Sequence, residues 1–164
     1  MPHQVMAGLG GLEYISIFRE SEPVALVEVS YQRAAGLEGV RRSLTFGGGL
    51  RFAFPISRTA FPLEGFIRAD LHARAGPWEP MTGVELGVSR IAVLNRDLTV
   101  PLEVIAREDQ RQGPLYAGIH LAPLRFLVHG LVLSGPELLL GTVGPPFGAT
   151  VRVQLGLLKV EVSL

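Results

Sequence analysis

The densest group of residues that could do chemistry lies in the segment "LEGFIRADLHARA". Its ionisable residues are Glu64, Arg68, Asp70, His72 and Arg74. Their even spacing places them on one face of a β-strand. A carboxylate and a histidine held close together can act as a general acid and base. The same residues form structural ion pairs when a strand face is buried, so we expect pairing here and predict no catalytic residue.

Metal and phosphate chemistry have weaker sequence support. His72 and His120 could meet across strands, but His3 and His129 have no partner at i+2 or i+4, and the chain has no cysteine. The sequence therefore predicts no metal site and no cofactor. The run "GGG" at residues 47–49 has no following helix and no phosphate-loop lysine. It predicts a bend or close packing within a strand.

The composition restricts the class of protein and its partners. The 164 residues suffice for one domain, which we expect to span residues 1–164. Fifteen basic and fifteen acidic residues balance to zero net charge, so no nucleic-acid partner is expected. Hydrophobic residues make up 48% of the chain and charged residues 18%, against about 25% in soluble domains. No apolar run approaches the ~20 residues of a membrane-spanning helix.

Glycine and proline divide the chain into short segments with alternating hydrophobicity, which predicts an all-β protein. Because short turns join these segments, consecutive strands should be antiparallel neighbours. A phase jump at Leu157 and Leu158 predicts a β-bulge. The candidate strands are Val5–Arg19, Val24–Ala34, Arg42–Ile56, Leu63–Ala75, Gly83–Leu94, Leu98–Arg107, Leu115–Leu121, Leu124–Leu133, Leu138–Val143 and Thr150–Leu164.

The alternation itself has two interpretations. A soluble sheet buries its apolar face, whereas a membrane barrel turns that face to lipid and fills its lumen with the polar face. Two segments beginning at Leu44 and Leu63 stay in phase far longer than the five or six residues usual in soluble strands. The polar face combines both charge signs with glycine, and Lys159 is the only lysine. Both features favour a lumen.

The final segment, "LKVEVSL", also alternates, with Val160, Val162 and Leu164 on its apolar face. In this pattern the chain resembles the small bacterial outer-membrane β-barrel proteins of the outer-membrane-protein-A transmembrane type. The resemblance implies an up-and-down antiparallel β-barrel of eight to ten strands in the bacterial outer membrane, with membrane lipid as its partner. The first residues show no signal peptide, so a mature secreted form or a soluble cytoplasmic or periplasmic protein stays open.

The membrane interpretation predicts which residues face each way. Those expected in the lumen charge network are Arg51, Glu64, Arg68, Asp70, His72, Arg74, Glu85, Glu103 and Arg107. The same alternation projects Glu28, Arg152, Lys159 and Glu161 inward. Those expected to face lipid are Leu44, Phe46, Leu50, Phe52, Phe54, Leu71, Val160, Val162 and Leu164.

The function expected from this arrangement is a structural outer-membrane barrel with a polar, charge-paired and largely plugged lumen. One alternative is a soluble β-barrel or sandwich that binds a small apolar ligand. Another is an outer-membrane lipid-modifying enzyme. The lipid A deacylases of that class use a His-x-Ser pair, but the sequences here are "HAR", "HLA" and "HGL".

Overall fold

A computed structural model of the chain describes residues 3–16, 19–20, 24–35, 42–53, 60–93, 115–143 and 150–163. Among these residues no helix is long and apolar enough to cross a membrane. The described strands are β1 (His3–Ser16), β2 (Arg19–Glu20), β3 (Val24–Ala35), β4 (Arg42–Ala53), β5 (Ala60–Ala73), β6 (Met81–Val93), β7 (Leu115–Ala122), β8 (Arg125–Val128), β9 (Leu131–Ser134), β10 (Glu137–Val143) and β11 (Thr150–Ser163).

Eight of these strands close into an antiparallel barrel. Their order around the wall is β1, β3, β4, β5, β6, β7, β10 and β11, and β11 pairs back onto β1 from Gln4↔Ser163 to Ser16↔Thr150. Apart from the closing β11–β1 pair, neighbours in the wall follow one another along the chain, with the short β2 between β1 and β3 and the β8–β9 pair between β7 and β10. The prediction of an all-β, up-and-down antiparallel barrel is therefore confirmed, with eight strands in the closed wall.

The short strands extend this wall. β8 and β9 form a hairpin that continues β7 and β10 beyond their ends, and β9 pairs with β11. Its two-residue turn is His129–Gly130, with φ of 51° and 85°, as two-residue hairpin turns require. The prediction of one strand from Leu124 to Leu133 is wrong, because a continuous apolar run concealed this turn. The predicted strand Leu98–Arg107 lies outside the described residues.

The predicted bulge at Leu157 is confirmed by the closing ladder. Leu9 pairs with Leu158 but Gly10 pairs with Gly156, so Leu157 is the extra residue on β11. Leu157 and Leu158 are consequently both exposed, at 63% and 52%. The bulge lets both halves of β11 keep their apolar side chains on the outside of the barrel.

The barrel has a polar interior and an apolar exterior. On β5, Glu64, Arg68 and Asp70 are buried, whereas Ile67 and Leu71 are exposed. A soluble sheet would place the apolar residues inside. The inverted arrangement is that of a transmembrane barrel, in which lipid covers the apolar face.

The residues expected to face lipid lie mostly on this outer surface. Phe46, Leu50, Phe52, Leu71 and Val162 are exposed. Leu44 and Val160 are half-buried. Phe54 and Leu164 lie outside the described residues.

Candidate functional site

The charged interior is the candidate functional site, and Arg51 on β4 is one of its centres. Its guanidinium contacts Glu28 of β3 at 2.7 Å and both carboxylate oxygens of Glu85 on β6 at 2.5 and 2.7 Å. It also donates to the Tyr116 hydroxyl at 2.9 Å, and the Phe66 ring lies 3.9 Å away. A planar, always-charged fork is the side chain suited to so many acceptors at once.

Arg152 on β11 forms an ion pair that joins opposite walls of the barrel interior. Two of its nitrogens each lie 2.6 Å from a carboxylate oxygen of Glu64 on β5. β5 and β11 are the fourth and eighth strands of the closed wall, so they stand on opposite sides. Arg152 also lies 3.9 Å from the Tyr116 ring. This bidentate pair therefore crosses the lumen from wall to wall.

Lys159 connects this region with a second group of charges. Its ammonium lies 2.8 Å from Glu28 and 2.6 Å from Glu137. His120 lies 3.1 Å from Glu137 and 3.4 Å from Asp70, one ring nitrogen toward each. Both ring nitrogens of His120 therefore lie within hydrogen-bond distance of a carboxylate.

His72 has the neighbours of a catalytic triad without its donor pattern. Its Nε2 lies 2.9 Å from Thr45 Oγ1 and its Nδ1 lies 3.0 Å from Glu79. Thr45, however, donates its only hydroxyl hydrogen to Gln32 at 3.0 Å. His72 must then donate to Thr45, so it is not a free base for that hydroxyl. Thr45 is also only 1% exposed.

Arg125 on β8 joins the acids near the β8–β9 end of the barrel. It lies 2.9 Å from Glu161 and 3.7 Å from Glu79. Glu79 belongs to the connection between β5 and β6 and is half-buried. Burial opposes its ionisation, but the hydrogen bond with His72 and the charge of Arg125 hold the pKa of Glu79 below its ordinary value.

The buried charges nearly balance within the described part of the chain. The buried acids are Glu28, Glu64, Asp70, Glu85, Glu137 and Glu161, and the buried cations are Arg51, Arg68, Arg125, Arg152 and Lys159. These six acids and five cations differ by a single charge. A nearly balanced set is what a poorly solvated interior can hold.

Six of the residues expected in the lumen network are buried. They are Arg51, Glu64, Arg68, Asp70, His72 and Glu85. Arg51 contacts Glu64 and Glu85, and Arg68 contacts Asp70. His72 contacts Thr45 and Glu79 instead. Arg74 departs from the expectation: it is exposed, because it lies just beyond the end of β5. Glu103 and Arg107 lie outside the described residues.

Among the buried ionisable residues of the described strands, sequence reasoning missed four, namely Tyr116, His120, Arg125 and Glu137. All four come from β7 to β10, where turns interrupt the alternation. A lone arginine between apolar residues, as in "PLRFLV", was the available signal, because an unpaired charge is not tolerated on a lipid face.

Comparison with known proteins supports the fold. No protein-family model matches the chain, and no curated protein matches it. The solved structure of Neisserial surface protein A (NspA) aligns with a TM-score of 0.65 at 12% identity, covering 99% of this chain and 97% of that one. Ail, the attachment invasion locus protein of Yersinia pestis, aligns at 0.48 with 7% identity, covering 99% and 98%. The chain thus has the closed antiparallel fold of the small outer-membrane β-barrels, the class that its sequence pattern resembles.

Proposed function

We propose that the chain is an integral protein of the bacterial outer membrane whose role is structural and whose lumen is plugged by paired charges. The membrane location is supported by the outer surface, where apolar side chains such as Ile67 and Leu86 are 64% and 53% exposed. A water-soluble protein rarely exposes so continuous an apolar surface. Lipid covers it in a bilayer.

The ion pair between Arg152 and Glu64 is the main observation that supports a plugged lumen. Both groups are fully buried and span opposite walls, which supports an interior filled by side chains at that level. Eight-stranded barrels have interiors just wide enough for such filling. A void beside Glu28 and Lys159 measures about 20 Å³, which leaves room for a single water molecule.

The orientation follows from the connections. Both described ends of the chain, His3 and Ser163, lie at the same end of the barrel as the His129–Gly130 turn and the β5–β6 connection. The end of β6 at Val93 and the start of β7 at Leu115, which are separated by 21 residues of sequence, lie at the other end. Outer-membrane barrels place short turns in the periplasm and long loops outside. We therefore assign the His129–Gly130 end to the periplasm.

The geometry gives the alternatives less support. A soluble barrel for an apolar ligand needs an apolar cavity, but this interior is filled by arginines and carboxylates. An enzyme needs an accessible nucleophile and a base that can take its proton. Thr45 and His72 are buried and meet neither requirement.

Planar-bilayer recording tests the proposal. The refolded protein should show no steady openings of large conductance, because the charge pairs block the lumen. The double variant Glu64→Ala/Arg152→Ala removes the crossing pair together and should produce small openings. A matched control, Arg33→Ala on the exposed face of β3, should stay closed. Steady large openings in the unmodified protein would show a water-filled channel and contradict the proposal.

A further inference from the structure

A groove lies on the outer surface of the barrel, near the end assigned above to the periplasm. It measures about 490 Å³ and is lined by Leu71, Ala73, Pro80, Met81, Thr82, Leu121 and Pro123. This size lies within the range of small-molecule binding sites. The lining is almost entirely apolar, with the Thr82 hydroxyl donating to the His120 carbonyl at 3.2 Å.

The strand register explains why a groove forms here. Thr82 on β6 pairs with Leu71 of β5 on one side and with Leu121 of β7 on the other. All three side chains point outward and are exposed. A short side chain between two leucines leaves a trough. Ala73 and Pro80 line it toward the end of the barrel.

The only tryptophan of the chain lies beside this groove. Trp78 donates its indole N–H to the carbonyl of Pro123, a groove residue, at 2.7 Å, and is 43% exposed. Tryptophan with one apolar and one polar side concentrates at the boundary between hydrocarbon and headgroups. The groove therefore begins at the membrane interface and continues into the apolar belt.

We propose that this groove binds one acyl chain of a phospholipid from the periplasmic leaflet of the outer membrane. The inference rests on the membrane location and orientation proposed above. An open apolar groove in the hydrocarbon region has no water to fill it, and an acyl chain matches its apolar lining. Because the bound acyl chain lies between Leu71 and Leu121, its lipid exchanges more slowly than lipid on the flat outer surface of the barrel.

Native mass spectrometry after refolding into dioleoyl phosphatidylcholine vesicles tests the inference. After transfer to mild detergent, the unmodified protein should retain one phosphatidylcholine. Thr82→Phe fills the trough and should lose it. Thr82→Val removes the hydroxyl at nearly constant volume, and Ala7→Phe adds the same ring on the outward face of β1; both should retain the lipid. Equal retention by Thr82→Phe, or no retention by the unmodified protein, would overturn the inference.

A fluorescence measurement separates failure of this inference from failure of the proposed function. Trp78 emission is recorded in vesicles whose phosphatidylcholine carries bromine on its acyl chains. Strong quenching that Thr82→Phe weakens supports the groove site. Equal quenching in every variant, without retained lipid, means that the barrel lies in the membrane but the groove binds no acyl chain specifically. No quenching in any variant means that the protein is outside the bilayer, which contradicts both proposals.

Discussion

At the scale of single residues, the interior depends on arginine forks that each satisfy several acceptors. Arg51 meets Glu28, Glu85 and Tyr116, while Arg152 meets both oxygens of Glu64. Lysine could not reproduce this, because its ammonium is a point charge without a planar fork. This requirement favours arginine over lysine at these buried positions.

Removing one member of a buried pair should be far more harmful than removing an exposed charge. Asp70 contacts Arg68 at 2.9 Å and Gln32 at 2.6 Å and is fully buried. Asp70→Ala should lower the free energy of unfolding by about 3 to 5 kcal/mol, since the buried Arg68 loses its nearest carboxylate and, among the described residues, keeps only Glu28 at 3.5 Å. Arg33→Ala, on the exposed face, should cost about 0 to 1 kcal/mol. Urea titration of the refolded barrels measures both, and equal tolerance would contradict a packed charged interior.

Glu79 predicts an acid-sensitive contact at the end of the barrel that carries the His129–Gly130 turn. Its pKa is lowered in the fold by the His72 hydrogen bond and the Arg125 charge, acting against burial, from an ordinary value of 4.5. The stabilisation is therefore complete above that value and is lost as the pH falls through the lower folded pKa. Glu79→Gln should be less stable at neutral pH and should lose less stability on acidification. Urea titrations at a series of pH values test this, and parallel pH profiles for the two proteins would contradict it.

At the scale of elements, the strand pleat sorts charged and apolar residues, and small residues make room for the charges. A Cβ on Gly49 would lie 2.5 Å from the Ser30 Cβ and 2.7 Å from Phe66 Cζ. The glycine run thus serves close packing, one of the two roles expected of it. Phe66 can then lie against Arg51, where the ring face stabilises the cation.

A matched pair of glycine substitutions tests this packing. A Cβ on Gly83 would lie 2.1 Å from Asp70 Oδ1 and 2.3 Å from the Ala69 carbonyl oxygen, whereas on Gly65 it would meet only Leu50 Cδ2 at 3.8 Å. Gly83→Ala should displace Asp70 and lower the free energy of unfolding by about 1 to 3 kcal/mol. Gly65→Ala should change it little. If the two variants unfold at the same urea concentration, the contact at Gly83 does not constrain the interior.

At the scale of the whole molecule, closure of β11 onto β1 pairs the wall on all sides. No free edge remains in the closed wall between Gln4↔Ser163 and Ser16↔Thr150. In a membrane this matters because unpaired backbone groups have no water to bind. Closure and the apolar belt together make the barrel a stable body in detergent or lipid.

The closed wall predicts heat-modifiable migration on gels. The folded barrel should keep its shape in dodecyl sulfate at room temperature and migrate differently after boiling, because opening it exposes every ladder bond at once. The measurement compares unboiled and boiled samples of the detergent-extracted protein. Identical migration, or monodisperse behaviour in buffer without detergent, would contradict a membrane barrel.

The local sequence determined most of the described strands, the division of their side chains into a polar and an apolar face, and the bulge at Leu157, because side-chain alternation has a period of two and a phase jump marks an extra residue. It also placed Arg51, Glu64 and Asp70 on the polar face.

The local sequence could not predict which residues meet across the lumen. Arg152 and Glu64 are 88 positions apart and are brought together only by closure of the barrel. The His129–Gly130 turn and the inward position of Arg125 also depended on tertiary structure, since an apolar run has the same local pattern whether it continues or reverses. Partner choice is a property of barrel circumference and register, which no local pattern contains.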